Sequence, residues 1–303
     1  MSVLNQPHFH DEAAAFEMVE SIVWPKGPVC PHCGEAKRIY ALNGVRSKAS
    51  KKNPEGVVRH GLKKCGACRK QFTVRVGTVF ESSHLPLHQW LQAFHLLCSS
   101  KKGISSHQLH RVLEVTYEAA WFMSHRIRMA MVDGRLGPLG GAGKVVEVDE
   151  TYHGKVETPL KNRKDTGKPL KKAKGGYGPA NKRAIVALVE RGGSARTFHV
   201  AEASAEVVAK IVRDNIDPAS RLHTDASSLY LGVGKEFAEH ASVRHSMGEY
   251  VRYENGEAIH NNSAESYFSV FKRGMKGVYQ HCSEKHLHRY LAEFEFRHNA
   301  RVA

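Results

Sequence analysis

Three acidic residues stand where carboxylates could act together. Asp149 closes the β-branched run Val145–Val148 within KVVEVDETYHGK. Asp225 closes a second short run, RLHT, and Glu265 lies in the first turn of a helical segment, SAESYFSVFKR. A carboxylate at the end of a buried strand must be paired, exposed or bound to a cation, because burying it ionised and alone is costly. Taken singly, each reads as an ordinary acidic turn or helix start. Converging on one point, the three cannot all ionise cheaply without a cation between them. Hard oxygen ligands with open water positions favour Mg²⁺ or Mn²⁺. Two such ions about 3.5–4 Å apart can activate a water or a 3′-hydroxyl and stabilise the leaving oxygen of a phosphodiester.

A second set of donors lies upstream. Cys30-Pro-His-Cys33 is followed, roughly thirty residues later, by Cys65-Gly-Ala-Cys68. Two such pairs on tight turns can point four thiolates at one centre, the closed tetrahedral site of a structural Zn²⁺. Unrelated thiols or a redox pair are the alternatives, and the paired spacing favours zinc. His32 reads as a bystander, and Cys98 and Cys282 as structural thiols.

The surrounding elements must position these groups. Asp11–Val23 is predicted as a helix capped by Asp11 and stopped at Trp24-Pro25. Gln71–Glu81 alternates apolar and polar residues, which predicts a strand completing the cysteine module. Leu87–Cys98, Ile104–Leu113 and Tyr117–Val132 are predicted helices. The last two, joined at Glu114–Thr116, form a helix-turn-helix-like pair or a plain linker. His125, Arg126 and Arg128 are expected on its outer part. Gly134–Gly143 marks a boundary. Lys155–Lys182 is a polar loop carrying Lys161, Arg163, Lys164, Lys168, Lys171, Lys172 and Lys174. Arg183–Glu190 and Ala195–Ala201 form a hairpin by pattern, Ala205–Ile216 a helix, and Arg221–Thr224 a strand. Val243–Ser246 is a further expected strand; Ser263–Arg273 and Ser283–Arg297 are helices.

A three-strand meander, then a helix and a parallel strand, is the layout of an α/β RNase H-like fold. There the first and fourth strands lie side by side, and a later helix lowers its carboxylate onto their acidic ends. Alternation along the first strand sends Glu150 to the other face, so it is read as supporting rather than ligating. Lys plus Arg number 45 against 30 Asp plus Glu, a formal charge of +15, which favours a polyanionic partner. No apolar run reaches membrane-spanning length, and the N-terminus has no apolar h-region, so a cytosolic chain is expected.

The chain resembles bacterial IS1595-type insertion-sequence transposases, with an ISXO2-like catalytic domain and an N-terminal zinc ribbon. The resemblance runs through CPHCG, CGACRKQF, GTVFESSHLPLHQW, SHQLHRVLEVTYEAAWFMSHRIRMAM, VVEVDETYHGK, HTDASSLY, VRHSMGEYV and HNNSAESYFSVFKRGMKGVYQHCSEKHLHRYLAEFEFRHNAR. Family members commonly carry a glycine pair where His153-Gly154 stands here. The resemblance implies an acidic triad of Asp149, Asp225 and Glu265 holding two Mg²⁺ or Mn²⁺ ions, and one Zn²⁺ on Cys30, Cys33, Cys65 and Cys68. It implies a partner, DNA, as terminal inverted repeats and target, and a homodimer or larger synaptic assembly. Lys272, Arg273 and Lys276, following Glu265, are expected on backbone phosphates, as are Arg126 and Arg128 on DNA. The expected division is residues 1–82 for the N-terminal helix and ribbon, 83–135 for the helical region, and 144–303 for the catalytic domain with its basic loop 155–182. A silent zinc-ribbon DNA-binding regulator and an RNase H-type nuclease are the rival readings.

Overall fold

A computed structural model describes residues 3–51, 53–132, 134, 137–158, 181–254 and 256–301. Most of the basic loop, 159–180, lies outside the described residues. The chain divides into two compact units, Met1–Ser100 with Ile104–Ile127, and Lys101–Gly103 with Arg128–Ala303. None of the described helices is long and apolar enough to cross a membrane.

In the first unit α1 (Glu12–Val23) starts as the sequence predicts, with Asp11 Oδ1 accepting from Ala14 N at 2.8 Å. The ribbon strands β1 (Ile39–Ala41), β2 (Lys63–Cys65) and β3 (Gln71–Phe72) form an antiparallel sheet in that order. The strand expected over Gln71–Glu81 stops at Phe72. Beyond it Val76, Thr78 and Glu81 donate to the carbonyls of Thr73, Arg75 and Thr78, so the backbone turns. Phe72 and Val74 are nonetheless buried, which is why the alternation looked like a strand. Next come α2 (Leu87–Ser99), α3 (Ser106–Leu113) and α4 (Tyr117–Ala130), α3 being capped by Ser105. Cys98 is exposed and not in the core, because Leu87, Trp90, Ala93 and Leu97 occupy the buried face of α2.

Arg128 is not on the outer part of α4. Ala120, Met123, Ser124, Ile127, Arg128 and Met131 are all buried, one stripe at helical spacing. His125 is buried as well, its ring against Trp121. Arg128 Nε donates to Glu293 Oε2 at 2.5 Å, with side-chain exposures of 1% and 0%. Its guanidinium lies over the rings of Tyr279 and Tyr290, and Glu293 also accepts from Tyr279 and Arg297. Removing the one acid from this cluster leaves buried positive charge uncompensated. Glu293→Ala is therefore expected to lower unfolding free energy by about 3–5 kcal/mol in urea titrations. A loss within error of zero would mean the pair is not buried in solution.

The second unit is built on a five-stranded sheet, β4 (Val145–Lys155), β5 (Lys182–Glu190), β6 (Ala195–Val200), β7 (Arg221–Asp225) and β8 (Glu239–Val243). The order is β6-β5-β4-β7-β8, with β4, β5 and β6 antiparallel and β7 and β8 parallel to β4. This is the RNase H-like mixed sheet. On one face Val146, Val148, Val186, Leu188 and Leu222 pack with α5 (Ala205–Asn215) through Val208 and Val212. On the other, Ile185, Ala187 and Val189 pack with α6 (Asn262–Gly274) and α7 (Leu287–Ala300).

The strands of this unit depart from expectation in three places. β4 runs on through Tyr152 and His153, because β5 pairs with it along its length; a register shift between His153 and Lys155 falls at Gly154, φ +66°. The strand expected at Val243–Ser246 lies earlier, at Glu239–Val243, where it pairs in parallel with β7. A hairpin of β9 (Arg252–Glu254) and β10 (Glu257–Ile259) precedes α6.

Candidate active site and metal centre

The parallel ladder between β4 and β7 ends at the pair Val148–Thr224. The next residues, Asp149 and Asp225, therefore lie side by side where the two strands part, Asp149 still paired with Ala187 of β5 and Asp225 with Val243 of β8. Asp225 Oδ1 accepts from Ser227 N at 3.0 Å, which turns the chain away and keeps the carboxylate at the strand end. Asp149 Oδ1 accepts from Glu150 N at 2.9 Å. Glu265 is in the first turn of α6, and its Oε1 lies 3.2 Å from His245 Nδ1. Asp149 and Glu265 line one groove of about 660 Å³ together with Lys272, Arg273 and Lys276. Glu265, Ser269 and Lys272 follow helical spacing, so one stripe of α6 runs from acid to base, and Lys276 continues it in the turn that follows. At its end the helix widens into a π-turn, Met275–Tyr279, with Gln280 N donating to Met275 O. Such widened turns recur at functional sites.

The electrostatics of this end are those of crowded acid. Burial, then the negative charges of Glu150, Asp225 and Glu265, push the Asp149 carboxyl up to about 7. Burial also raises Glu150, against the hydrogen bond it accepts from Tyr230. Glu150 points to the α5 side, where Tyr230 is buried, as alternation predicts. The donor set is hard oxygen and short of positive charge, the condition a divalent cation relieves. The three carboxylates are not drawn together as tightly as the cysteines described next. A proton on Asp149 competes with any cation, so Mn²⁺ affinity should rise with pH up to about 7 and flatten above it. Titrating Mn²⁺ binding from about pH 5.5 to pH 8.5 checks this; a flat profile would mean that Asp149 holds no competing proton.

The cysteine centre is compact. Cys30, Cys33, Cys65 and Cys68 place their Sγ atoms within 4.8 Å of one another, the group among the described residues that does so. Cys30 and Cys68 are 3.7 Å apart and Cys33 and Cys65 3.6 Å. Four Zn–S bonds of about 2.3 Å in a tetrahedron require S···S separations of about 3.8 Å. The four thiols therefore fit Zn²⁺. The backbone N–H groups of Cys68 and Ala67 lower the Cys65 thiol to about 7, and the neighbouring thiols with burial raise Cys33, so the cluster holds its first negative charge on Cys65.

The predicted basic residues divide. Lys272, Arg273 and Lys276 are in the groove. Arg126 is half-exposed, but its guanidinium donates to Glu81 O and Thr78 O and lies over Trp90 and Phe122. Arg128 is withdrawn into the buried cluster with Glu293. Sequence reasoning passed over Glu147, a charged residue inside an apolar run on the Asp149 face, and His245 beside Glu265.

Residues 138–299 match the model of the ISXO2-like transposase domain. The chain belongs to that family. Residues 10–71 match the transposase zinc-ribbon domain, which contains all four cysteines. Among curated proteins, an uncharacterized protein in transposable element ISH50 of Halobacterium salinarum is 27% identical over 303 residues, 95% of this chain and 91% of the relative. Two solved structures are more distant. One is a chain of the simian T-cell lymphotropic virus intasome in complex with PP2A regulatory subunit B56 gamma, at TM-score 0.28, 12% identity, 62% of this chain and 63% of that one. The other is Mos1 transposase in a paired-end complex with the left transposon end, at TM-score 0.28, 14% identity, 70% and 75%. Likenesses at that level do not bear on the fold. The transposase thus joins a zinc-ribbon module with a four-cysteine metal site to a DDE-type domain.

Proposed function

We propose that this transposase cuts DNA at the ends of an insertion sequence and joins the freed 3′-hydroxyl to target DNA. The observation that carries the reading is the groove that has Asp149 and Glu265 at one end and Lys272, Arg273 and Lys276 along it. Asp149, Asp225 and Glu265 bind and orient two Mg²⁺ or Mn²⁺ ions. Those ions, when bound, supply Lewis-acid activation of a water and then of a 3′-hydroxyl. Lys272, Arg273 and Lys276 hold backbone phosphates beside the scissile bond. The ribbon, residues 1–82, and the helical region, residues 83–135, recognise terminal inverted repeats, with Arg126 as a contact. Residues 144–303 carry the chemistry, and two or more copies pair the element ends. A cytoplasmic setting, on the nucleoid when bound, belongs to the same proposal.

The test is a substrate panel in Mg²⁺: duplexes ending in the element's inverted repeats, unrelated duplexes, and RNA–DNA hybrids. Cleavage at the repeat ends is expected. Equal cleavage of hybrids would favour an RNase H-type nuclease, and binding without cleavage a silent regulator. If about 6 phosphates are neutralised, log K against log salt should fall with a slope of roughly −5. A slope near zero would remove the electrostatic part of the argument.

A further inference from the structure

Glu147 is fully buried, two residues before Asp149. Strand alternation puts both on the face of β4 against which α6 lies, about 7 Å apart. Glu147 Oε2 accepts from the backbone N–H groups of Ser263 at 2.6 Å and Ala264 at 3.1 Å. Its Oε1 accepts from Ser263 Oγ at 3.0 Å and from Arg191 Nε and Nη2 at 3.0 and 2.9 Å, and lies 3.3 Å from His260 Nδ1. First-turn N–H groups have no intrahelical acceptor and normally take one from the cap residue. Here the cap residue, Asn261, makes no side-chain cap bond. It is buried instead, with Nδ2 donating to Val148 O at 3.2 Å. The first turn of α6 is thus fastened to positions 147 and 148 of β4, and the next residue on each element is a carboxylate of the acidic site, Asp149 and Glu265.

We propose that Glu147 is a positioning residue, which caps α6 from the sheet and so sets Glu265 against Asp149 for divalent-ion binding. The proposal rests on the reading of Glu265 as a metal ligand. Glu147 cannot itself be a ligand, since both oxygens are occupied by N–H and O–H donors. Nor is it there only to hold Arg191, whose guanidinium also donates to Ala258 O and His260 O. The carboxylate faces the positive end of the helix, where an anion is favoured. It fixes the helix in register as well as in angle, because the contacts are to consecutive residues.

The test is Mn²⁺ binding to the full chain without DNA, read from the spin-resonance signal of free Mn²⁺. The variants are Glu147→Gln, Glu265→Gln and the double variant. Glu265→Gln should weaken binding, and Glu147→Gln should weaken it about tenfold, the scale of losing a ligand's supporting contact. The double variant should bind no more weakly than Glu265→Gln, because Glu147 acts through Glu265. A full additive loss, or wild-type affinity in Glu147→Gln, overturns the proposal. Wild-type affinity in Glu265→Gln instead overturns the ligand assignment beneath it. Should Glu147→Gln not fold, Ser263→Ala removes one bond to Oε1 and leaves Glu147 with Arg191. It should weaken Mn²⁺ binding about threefold in the parent and not in the Glu265→Gln background. No weakening in the parent overturns the proposal.

Discussion

Asp149→Asn should abolish strand cleavage in Mg²⁺, by at least about a thousandfold, while inverted-repeat binding survives. The amide keeps the shape of the side chain and loses the charge. Several kcal/mol of charge stabilisation at the reacting phosphate are lost with the cation, and each 1.4 kcal/mol or so is tenfold in rate. The proposed end binding rests on the ribbon, the helices and the cations Lys272, Arg273 and Lys276; Asp149 shares their groove but supplies none of that positive charge. The same variant should be more stable than the parent in chelator at alkaline pH. Unfolded, Asp149 loses its proton in the ordinary carboxylate range; folded, it keeps it up to about 7. The unfolded state therefore binds fewer protons across that window, and stability falls as pH rises through it. Asparagine removes this loss, so melting temperatures of parent and variant should meet near pH 4, diverge as pH rises to about 7 and stay apart above it. A variant that still cleaves would end the catalytic assignment. One that melts lower than its parent at both pH values would end the electrostatic account of Asp149.

Much of this site was legible because it depends on periodicity and order. Alternation in VVEVDE places Glu150 opposite Asp149, and in the structure Glu150 does meet Tyr230 on the α5 side. The order of strands and helices sufficed to predict that Asp149 and Asp225 lie on adjacent strands. The cysteine spacing was enough to bring four sulfurs to zinc-like separations. What was missed lay in side chains whose partners are far away in the chain. Arg128 looks like a DNA contact until it is placed on the stripe with Ala120, Met123 and Ile127, and that spacing was available. Its partner Glu293 was not, being separated by 165 positions. Glu147 presents the same case: a lone acid among valines must have a buried partner, but the sequence does not say that it is the start of α6. Past Phe72, local turn bonds replace a ladder without changing which residues are buried, so pattern alone could not separate the two. Strand β4 overran its expected end because β5, at a distance in sequence, continues to pair with it.

Stripping zinc should unfold the ribbon and leave the RNase H-like sheet intact. The buried cluster of the ribbon is Cys30, Cys65 and Phe72, with Trp24, Ile39, Cys68 and Val76 packed on it. Two of its three buried members are thus metal ligands. Its strands have three, three and two residues, too short to be stable on ladder bonds alone. Apolar burial on that scale does not offset the ordering of the insert between the cysteine pairs. Binding of Zn²⁺ by such modules is worth about 10–16 kcal/mol, so its removal exceeds what the module holds in reserve. In hydrogen exchange, amides between Cys30 and Phe72 should lose protection on chelation, and those of β4, β5 and β7 should keep it. Inverted-repeat binding should fall with the ribbon, and added zinc should restore both. Cys33→Ser, which alters the exposed ligand and spares the buried ones, should reproduce the loss at ordinary zinc concentrations. Full protection of 30–72 in protein shown to contain no zinc would mean that the four thiols hold the ribbon by packing, and the metal would then be dispensable to the fold.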